Sequence, residues 1–251
     1  MTISFKDKVV IVTGSGNGLG RSHALQFAQR GAKIVVNDLG GTVDGSGGSS
    51  EAAEKVVEEI KKNGGEAIAN GSSVTDKAGV KKLVDDAMAA FGRIDVLVNN
   101  AGVLRDKSFA KVTLEDFEFV VDVHLMGSVY CTKAVWPIMV EQNYGRIVMT
   151  SSSSGVYGNF GQTNYGSAKL GVVGFMNSLK IEGQKYNIKV NSLIPVAATR
   201  MTESLMPKEA LEKLQPDVVS PAVLFMASDD APTGIMLSAG AGVYALAQIV
   251  Q

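Results

Sequence analysis

Lys8-Val9-Val10-Ile11-Val12-Thr13 runs without a break into Gly14-Ser15-Gly16-Asn17-Gly18-Leu19-Gly20, and this junction decides the fold. The first six residues form a β-branched run with no polar alternation, the pattern of a central parallel strand covered on both faces. Gly14, Gly18 and Gly20 keep a G-x-x-x-G-x-G spacing, and beyond them Leu25, Phe27 and Ala28 follow a helical pattern that ends at Arg30-Gly31. Strand, glycine turn and helix make the first half of a dinucleotide site, where the backbone approaches the pyrophosphate and the helix N-terminus meets its charge. A glycine cluster alone would mark any tight turn; its place between a buried strand and a helix gives it meaning.

Working outward, Lys33-Ile34-Val35-Val36-Asn37-Asp38 is the next buried strand. It ends on a carboxylate about 20 residues past the glycine turn, where an acid accepts hydrogen bonds from the adenosine ribose and repels a 2′-phosphate. No Arg or Lys lies between Gly14 and Gly20, so NAD is expected over NADP; a solvated turn residue is the plainer reading of Asp38. Gly40 to Ser50 is a long glycine and serine loop, expected to be mobile when the site is empty. It either closes over the adenosine end of the cofactor or is a plain insertion. A helix over 51–62, a strand over 66–70, a helix from a Thr75 cap to Phe91 and a strand over 94–98 follow. That strand empties into Asn99-Asn100-Ala101-Gly102, small and amide residues suited to lie along a bound cofactor. A helix is expected from about Leu114 to Trp136, halted by Pro137, then strands over 145–150 and 188–194, the latter closed by Pro195. Thr199 to Gln215 is amphipathic and methionine-rich, either a substrate lid or a surface helix. A helix over 220–228 and a strand at 235–237 finish the pattern. Strands alternating with helices make one doubly wound α/β (Rossmann) domain over 1–251, a mostly parallel seven-stranded sheet with helices on both faces.

The chemistry is expected after the fifth strand. Ser151-Ser152-Ser153-Ser154-Gly155 leads to Tyr165-Gly166-Ser167-Ala168-Lys169. On a helix from about Gln162, positions four apart share a face, which brings the Tyr165 hydroxyl and the Lys169 ammonium into one space. A phenol is a poor base at neutral pH, and a nearby cation lowers its pKa. Tyr165 can then exchange a proton with an alcohol while a serine hydroxyl, here assigned to Ser152, fixes the same oxygen. Chance spacing in a helix and an ordinary serine turn are the bland alternatives.

With 251 residues, 45% of them hydrophobic, the chain can bury a sizeable core, and its net charge of −1 supplies no basic field. Neither nucleic acid nor a membrane is expected as a partner. Cys131 is the only cysteine, and His23 and His124 are the only histidines. An intramolecular disulfide and a thiolate zinc site are excluded, and no carboxylate spacing offers a metal site. Met1 to Lys8 lacks the apolar core of a secretion signal, and the lone cysteine fits a reducing, cytoplasmic setting. The uncharged run from Thr233 to Gln251 is interrupted by Gly234, Ser238, Gly240, Gly242 and Gln248. It is read as a buried last strand and a hydrophobic tail, not a membrane span.

Thr13-Gly14 with Gly18 and Gly20, Asn99-Asn100-Ala101-Gly102, Ser152, Tyr165 with Lys169, and Pro195 with Thr199 stand in a recognisable order. Over its whole length the chain resembles the short-chain dehydrogenase/reductase family. The resemblance implies that Tyr165 is the acid/base, that Lys169 binds the nicotinamide ribose and lowers the tyrosine pKa, and that Ser152 orients the substrate carbonyl. It also implies an NAD site lined by Gly14, Asn17, Gly18, Leu19, Gly20, Asp38, Ser73, Val74, Asn99, Ala101, Gly102, Tyr165, Lys169, Pro195 and Thr199. Three positions depart from the family's usual pattern. His124 stands where an Asn helps carry a proton relay, and is a relay member or a satisfied core histidine. Ser73 replaces a common acid at the adenine contact, and Val196 follows Pro195 where Gly is usual.

Asn37-Asp38-Leu39-Gly40-Gly41 with its insertion, the stretch Val103 to Ala110 and the stretch Tyr157 to Gln162 are similar to a subgroup, the (3R)-hydroxyacyl-CoA dehydrogenases that form part of multifunctional β-oxidation enzymes. A 3-hydroxyacyl-CoA substrate and a homodimer or homotetramer are implied. A general secondary-alcohol, steroid or 3-oxoacyl reductase is the alternative enzyme. A catalytically silent nucleotide-binding scaffold is the alternative of another class, since fold does not fix function.

Overall fold

A computed structural model describes residues 3–197 and 208–250. Among these residues one sheet has the order β3-β2-β1-β4-β5-β6-β7-β8, with β1 at Val9–Thr13, β2 at Lys33–Asn37, β3 at Glu66–Asn70, β4 at Val96–Asn99, β5 at Gly145–Thr150, β6 at Ile188–Pro195, β7 at Met236–Gly240 and β8 at Val243–Ala247. Every pairing from β3 through to β7 is parallel, and β7 pairs β8 antiparallel. The order reverses between β1 and β4, so the crevice of an open α/β sheet falls beyond the carboxyl ends of those two strands.

The β1 run is buried throughout because it serves two cores. Val10 and Val12 join Phe27, Ile34, Val36, Val56 and Ile60 on one face, while Ile11 joins Leu83, Leu97, Ile147, Val172 and Met176 on the other. The first core packs α1 (Gly18–Ala28), α2 (Glu51–Lys62) and α9 (Ser220–Ala227); the second packs α3 (Lys77–Phe91), α5 (Gly127–Gln142) and α7 (Thr163–Gly183). Phe5 and Phe27 meet edge to face with centroids 4.7 Å apart, a contact worth about 1 kcal/mol beyond its area. No helix among the described residues is long and apolar enough to cross a membrane.

Three expectations are corrected, and a fourth falls mostly outside the described residues. The sheet has an eighth strand, because Ala241 and Gly242, at φ 49° and 77°, form a tight hairpin turn of primed type that folds the tail back as β8. Pro137 does not stop its helix: after α4 (Leu114–Val121) the chain makes a π turn at Asp122–Met126 and continues through Pro137 as α5 to Gln142. Val135 and Met139 anchor both sides of the proline in the core, and the stop is left-handed Asn143, whose N–H donates to Met139 O and Val140 O. The cap of α3 is Asp76, which accepts from Ala78 N and Gly79 N, while the Thr75 hydroxyl pairs with Ser73. Within 199–215, only Lys208–Lys213 is described as a helix, α8; most of the proposed lid, Thr199 included, lies outside the described residues.

Candidate active site

A cavity of about 490 Å³ opens at the reversal between β1 and β4. The β1 turn closes its floor, since a Cβ on Gly14 would sit 2.7 Å from Ala101 Cα and one on Gly20 would sit 2.2 Å from Gly14 O. Asn17 caps α1 without a side-chain hydrogen bond, so the first-turn N–H groups take no acceptor from that side chain, and Gly18, Leu19 and Gly20 line the cavity.

β5 delivers the serines and α7 the tyrosine and lysine. Ser151 Oγ donates to Lys169 O at 2.7 Å, pinning the strand end to the helix. Ser152 caps the short helix α6 (Ser153–Tyr157), accepting from Ser154 N at 3.2 Å, and its hydroxyl lies near enough to the Tyr165 phenol to pull that group's pKa down. Lys169 Nζ lies 5.5 Å from the Tyr165 ring centroid and donates to Thr150 O at 2.6 Å. Ser152, Tyr165 and Lys169 all line the cavity. Burial pushes the Tyr165 phenol up to about 12, against the pull of Ser152 and with a further push from the Asp106 charge. Burial brings the Lys169 ammonium down to about 7. In the protein alone, desolvation therefore outweighs the attraction expected between the pair, and both are driven toward their neutral forms.

His124 sits within the π turn, buried, and its ring meets Tyr165 edge to face with centroids 5.0 Å apart. Its Nε2 faces both Val103 N at 3.0 Å and Val103 O at 2.8 Å, and its tautomer decides which bond forms. Its Nδ1 is buried without a partner. Burial first, and then the Lys169 charge, holds the imidazole well below its usual pKa, so it is neutral at physiological pH. Only a glycine at 102 leaves room for that ring, since a Cβ there would lie 2.3 Å from His124 Cε1.

At the other end, Asp38 lines the cavity and braces two loops, accepting from Gly16 N at 2.7 Å and Gly40 N at 2.6 Å. The loop over 40–50 does not hang free. Val43 O accepts from Leu104 N at 2.9 Å, Asp44 O accepts from Arg105 Nε at 3.1 Å, and Gly45 packs on Phe119 and Val103. It thus spans the cleft from the β2 end to the β4 end.

Asn17, Gly18, Leu19, Ser73, Val74, Ala101, Gly102 and Pro195, candidates for cofactor contact in the sequence, line the cavity. Asn99 does not: its amide turns into the layer below, donating to Thr132 Oγ1 and Met149 Sδ, because its place in β4 points the side chain away from the cleft. Asn100 forms the wall instead, donating to Thr13 O and Gly14 O at 2.9 Å each. Gln162 and Asn159 line the substrate side. Neither was singled out, since an amide in a glycine-rich turn carries no periodic signal.

Fold and cleft define a Rossmann-type α/β domain with its cavity at the sheet reversal. Residues 8–210 match the family described as short chain dehydrogenase, and the chain belongs to that family. Peroxisomal multifunctional enzyme A of Dictyostelium discoideum is 54% identical over 243 residues, covering 96% of this chain and 54% of that protein. The chain therefore spans about half the length of this relative. A short chain dehydrogenase from Mycobacterium avium superposes with a TM-score of 0.86 at 40% identity, covering 98% of this chain and 87% of the other. A 7α-hydroxysteroid dehydrogenase complexed with NADH and 7-oxo glycochenodeoxycholic acid superposes with a TM-score of 0.85 at 28% identity, covering 95% of each chain.

Proposed function

We propose that the chain is NAD-dependent and transfers hydride between the nicotinamide and a secondary alcohol or ketone, with a 3-hydroxyacyl-CoA as its substrate. The observation that carries this reading is the meeting of Ser152, Tyr165 and Lys169 on one wall of a cleft floored by the glycine turn. The residues present suit a dinucleotide: the backbone cradle at Gly14 and Gly20 admits no side chain, and the open first turn of α1 can meet a diphosphate. NAD, when bound, supplies the carbon that accepts or gives the hydride. Asp38 would hold the adenosine ribose and repel a 2′-phosphate.

In oxidation Tyr165, as phenolate, takes the hydroxyl proton of the alcohol while Ser152 holds the same oxygen in place. Protonated Lys169 lowers the cost of the phenolate and donates to the ribose hydroxyls. Neutral His124 holds Val103, and through it the wall opposite the tyrosine. The likeness to a multifunctional enzyme supports the thioester substrate. The 28% identity to a steroid dehydrogenase favours the second reading, a steroid or general secondary-alcohol reductase.

Initial rates with a 3-hydroxyacyl-CoA, a hydroxysteroid and a simple ketone, followed by nicotinamide absorbance, separate these readings. Preference for the acyl-CoA is expected, preference for the steroid would favour the second reading, and inactivity on all three with NAD still bound would point to a scaffold. A homodimer or homotetramer is also proposed. Leu170, Gly174 and Ile181 form an exposed small and apolar stripe along α7, with open space around Gly174, and sedimentation reads the assembly directly. The lone buried Cys131 supports a reducing compartment, the cytoplasm, which fractionation would test against a peroxisomal setting.

A further inference from the structure

Among the described residues that line the cavity, Lys169 is the one cationic side chain, and Asp38, at the far end, is the one carboxylate. No counter-charge therefore meets the lysine inside the cleft. Its Nζ is buried and donates to a backbone acceptor, Thr150 O at 2.6 Å. The titratable groups packed around it are Tyr165, one turn earlier on α7 with its ring centroid 5.5 Å from Nζ, and His124 on the π turn. Burial keeps the phenol and the imidazole neutral at physiological pH. Asp106 pushes on the phenol from outside the cavity lining.

A lysine in such surroundings sheds its proton readily, and a neutral amine is a nucleophile. Ser152 and the neutral Tyr165 phenol are hydroxyl donors on the same cavity wall. Donors that suit the oxygen of an alcohol also suit the carbonyl oxygen of a thioester, where they stabilise the negative charge that collects under attack. Amine and oxyanion donors thus share one pocket.

We propose that Lys169 is a site of self-acylation: when no coenzyme covers it, its Nζ takes the acyl group of a thioester bound in the cleft. The nitrogen bonds to the carbonyl carbon, the carbon–sulfur bond breaks, and the CoA thiolate leaves with the proton that the nitrogen gives up. No oxidant or reductant takes part. The resulting amide carries no charge, so it can neither favour a phenolate on Tyr165 nor serve as a cation toward a ribose. Bound NAD would shield the amine, which makes the coenzyme a guard of the chain as well as its hydride carrier. This inference rests on the NAD and thioester reading proposed above and goes beyond it, to the fate of the chain between coenzymes.

The test incubates the full chain with a short saturated acyl-CoA, which has no hydroxyl to oxidise, and follows acylation of each lysine by peptide mass spectrometry. Lys169 should be labelled at least about 10-fold faster at neutral pH than the exposed Lys61 and Lys62, whose ammonium groups are of the kind that titrates near about 10.4. Its labelling rate should rise through pH 7 and then level, because burial brings its ammonium down to about 7, whereas the exposed lysines keep gaining. NAD at about ten times its Kd should slow labelling of Lys169 by about 10-fold and leave Lys61 and Lys62 unchanged. Labelling of Lys169 no faster than of the exposed lysines, or labelling that NAD does not slow, would overturn the inference. A chain that oxidises a 3-hydroxyacyl-CoA with NAD and yet gains no acyl group at Lys169 would overturn the inference alone. A chain that does neither would overturn the thioester reading along with it.

Discussion

Tyr165 is held as a neutral phenol by burial, which pushes its pKa up to about 12. Tyr165→Phe should cut kcat by about 100-fold or more, the usual weight of a general acid or base, with NAD affinity kept in a fluorescence titration. Asp38→Ala should raise kcat/KM for NADP relative to NAD by about 10-fold, since a charge repulsion of about 1.4 kcal/mol is removed; paired initial-rate assays read the ratio. His23 bears on stability. It is fully buried with Nδ1 on Ser220 Oγ and Nε2 unpartnered, and burial lowers its pKa to about 3. The unfolded chain binds a proton from about pH 6.5 downward and the folded chain does not, so stability is full above that pH and falls by about 1.4 kcal/mol per pH unit toward pH 3. His23→Asn should flatten that part of the denaturation profile. At this scale much of the site could be read from sequence, because Tyr165 and Lys169 share a helix face and Asp38 ends a strand. Asn99 and Asn100 could not be told apart, since one residue of strand alternation reverses a side chain and adjacent identical residues conceal the register.

Elements were legible where a period or a cap repeated itself. The buried strands declared themselves by unbroken β-branched runs, and α2 by its amphipathic pattern and the glycines that follow it. The π turn at Asp122–Met126 and the passage of α5 through Pro137 were not legible, because the packing of Val135 and Met139 overrides a local helix breaker. The β7–β8 hairpin was hidden for a related reason: Ala241, not the usual Asn or Asp, occupies the first left-handed turn position at φ 49°. That choice carries a cost of about 1 kcal/mol. Ala241→Asn should therefore raise the unfolding free energy by about 0.5–1 kcal/mol in urea denaturation, with activity unchanged.

Across the whole molecule, the site depends on pieces far apart in sequence. β1 supplies the floor, β2 the carboxylate, β5 the serine, α7 the tyrosine and lysine, and the loop over 40–50 reaches from one side of the sheet reversal to the other. The mostly parallel, doubly wound sheet was implied by alternating strands and helices, whereas the destination of that loop was not, because glycine and serine leave the direction of a chain open. Its moorings at Val43 and Asp44 make a crossbar at the cavity. On the NAD-dependent reading proposed above, coenzyme leaves after those moorings part, and its departure is expected to set the tempo of each turnover. Deuterium in place of the migrating hydrogen should then slow a single turnover yet pass unnoticed in steady-state kcat.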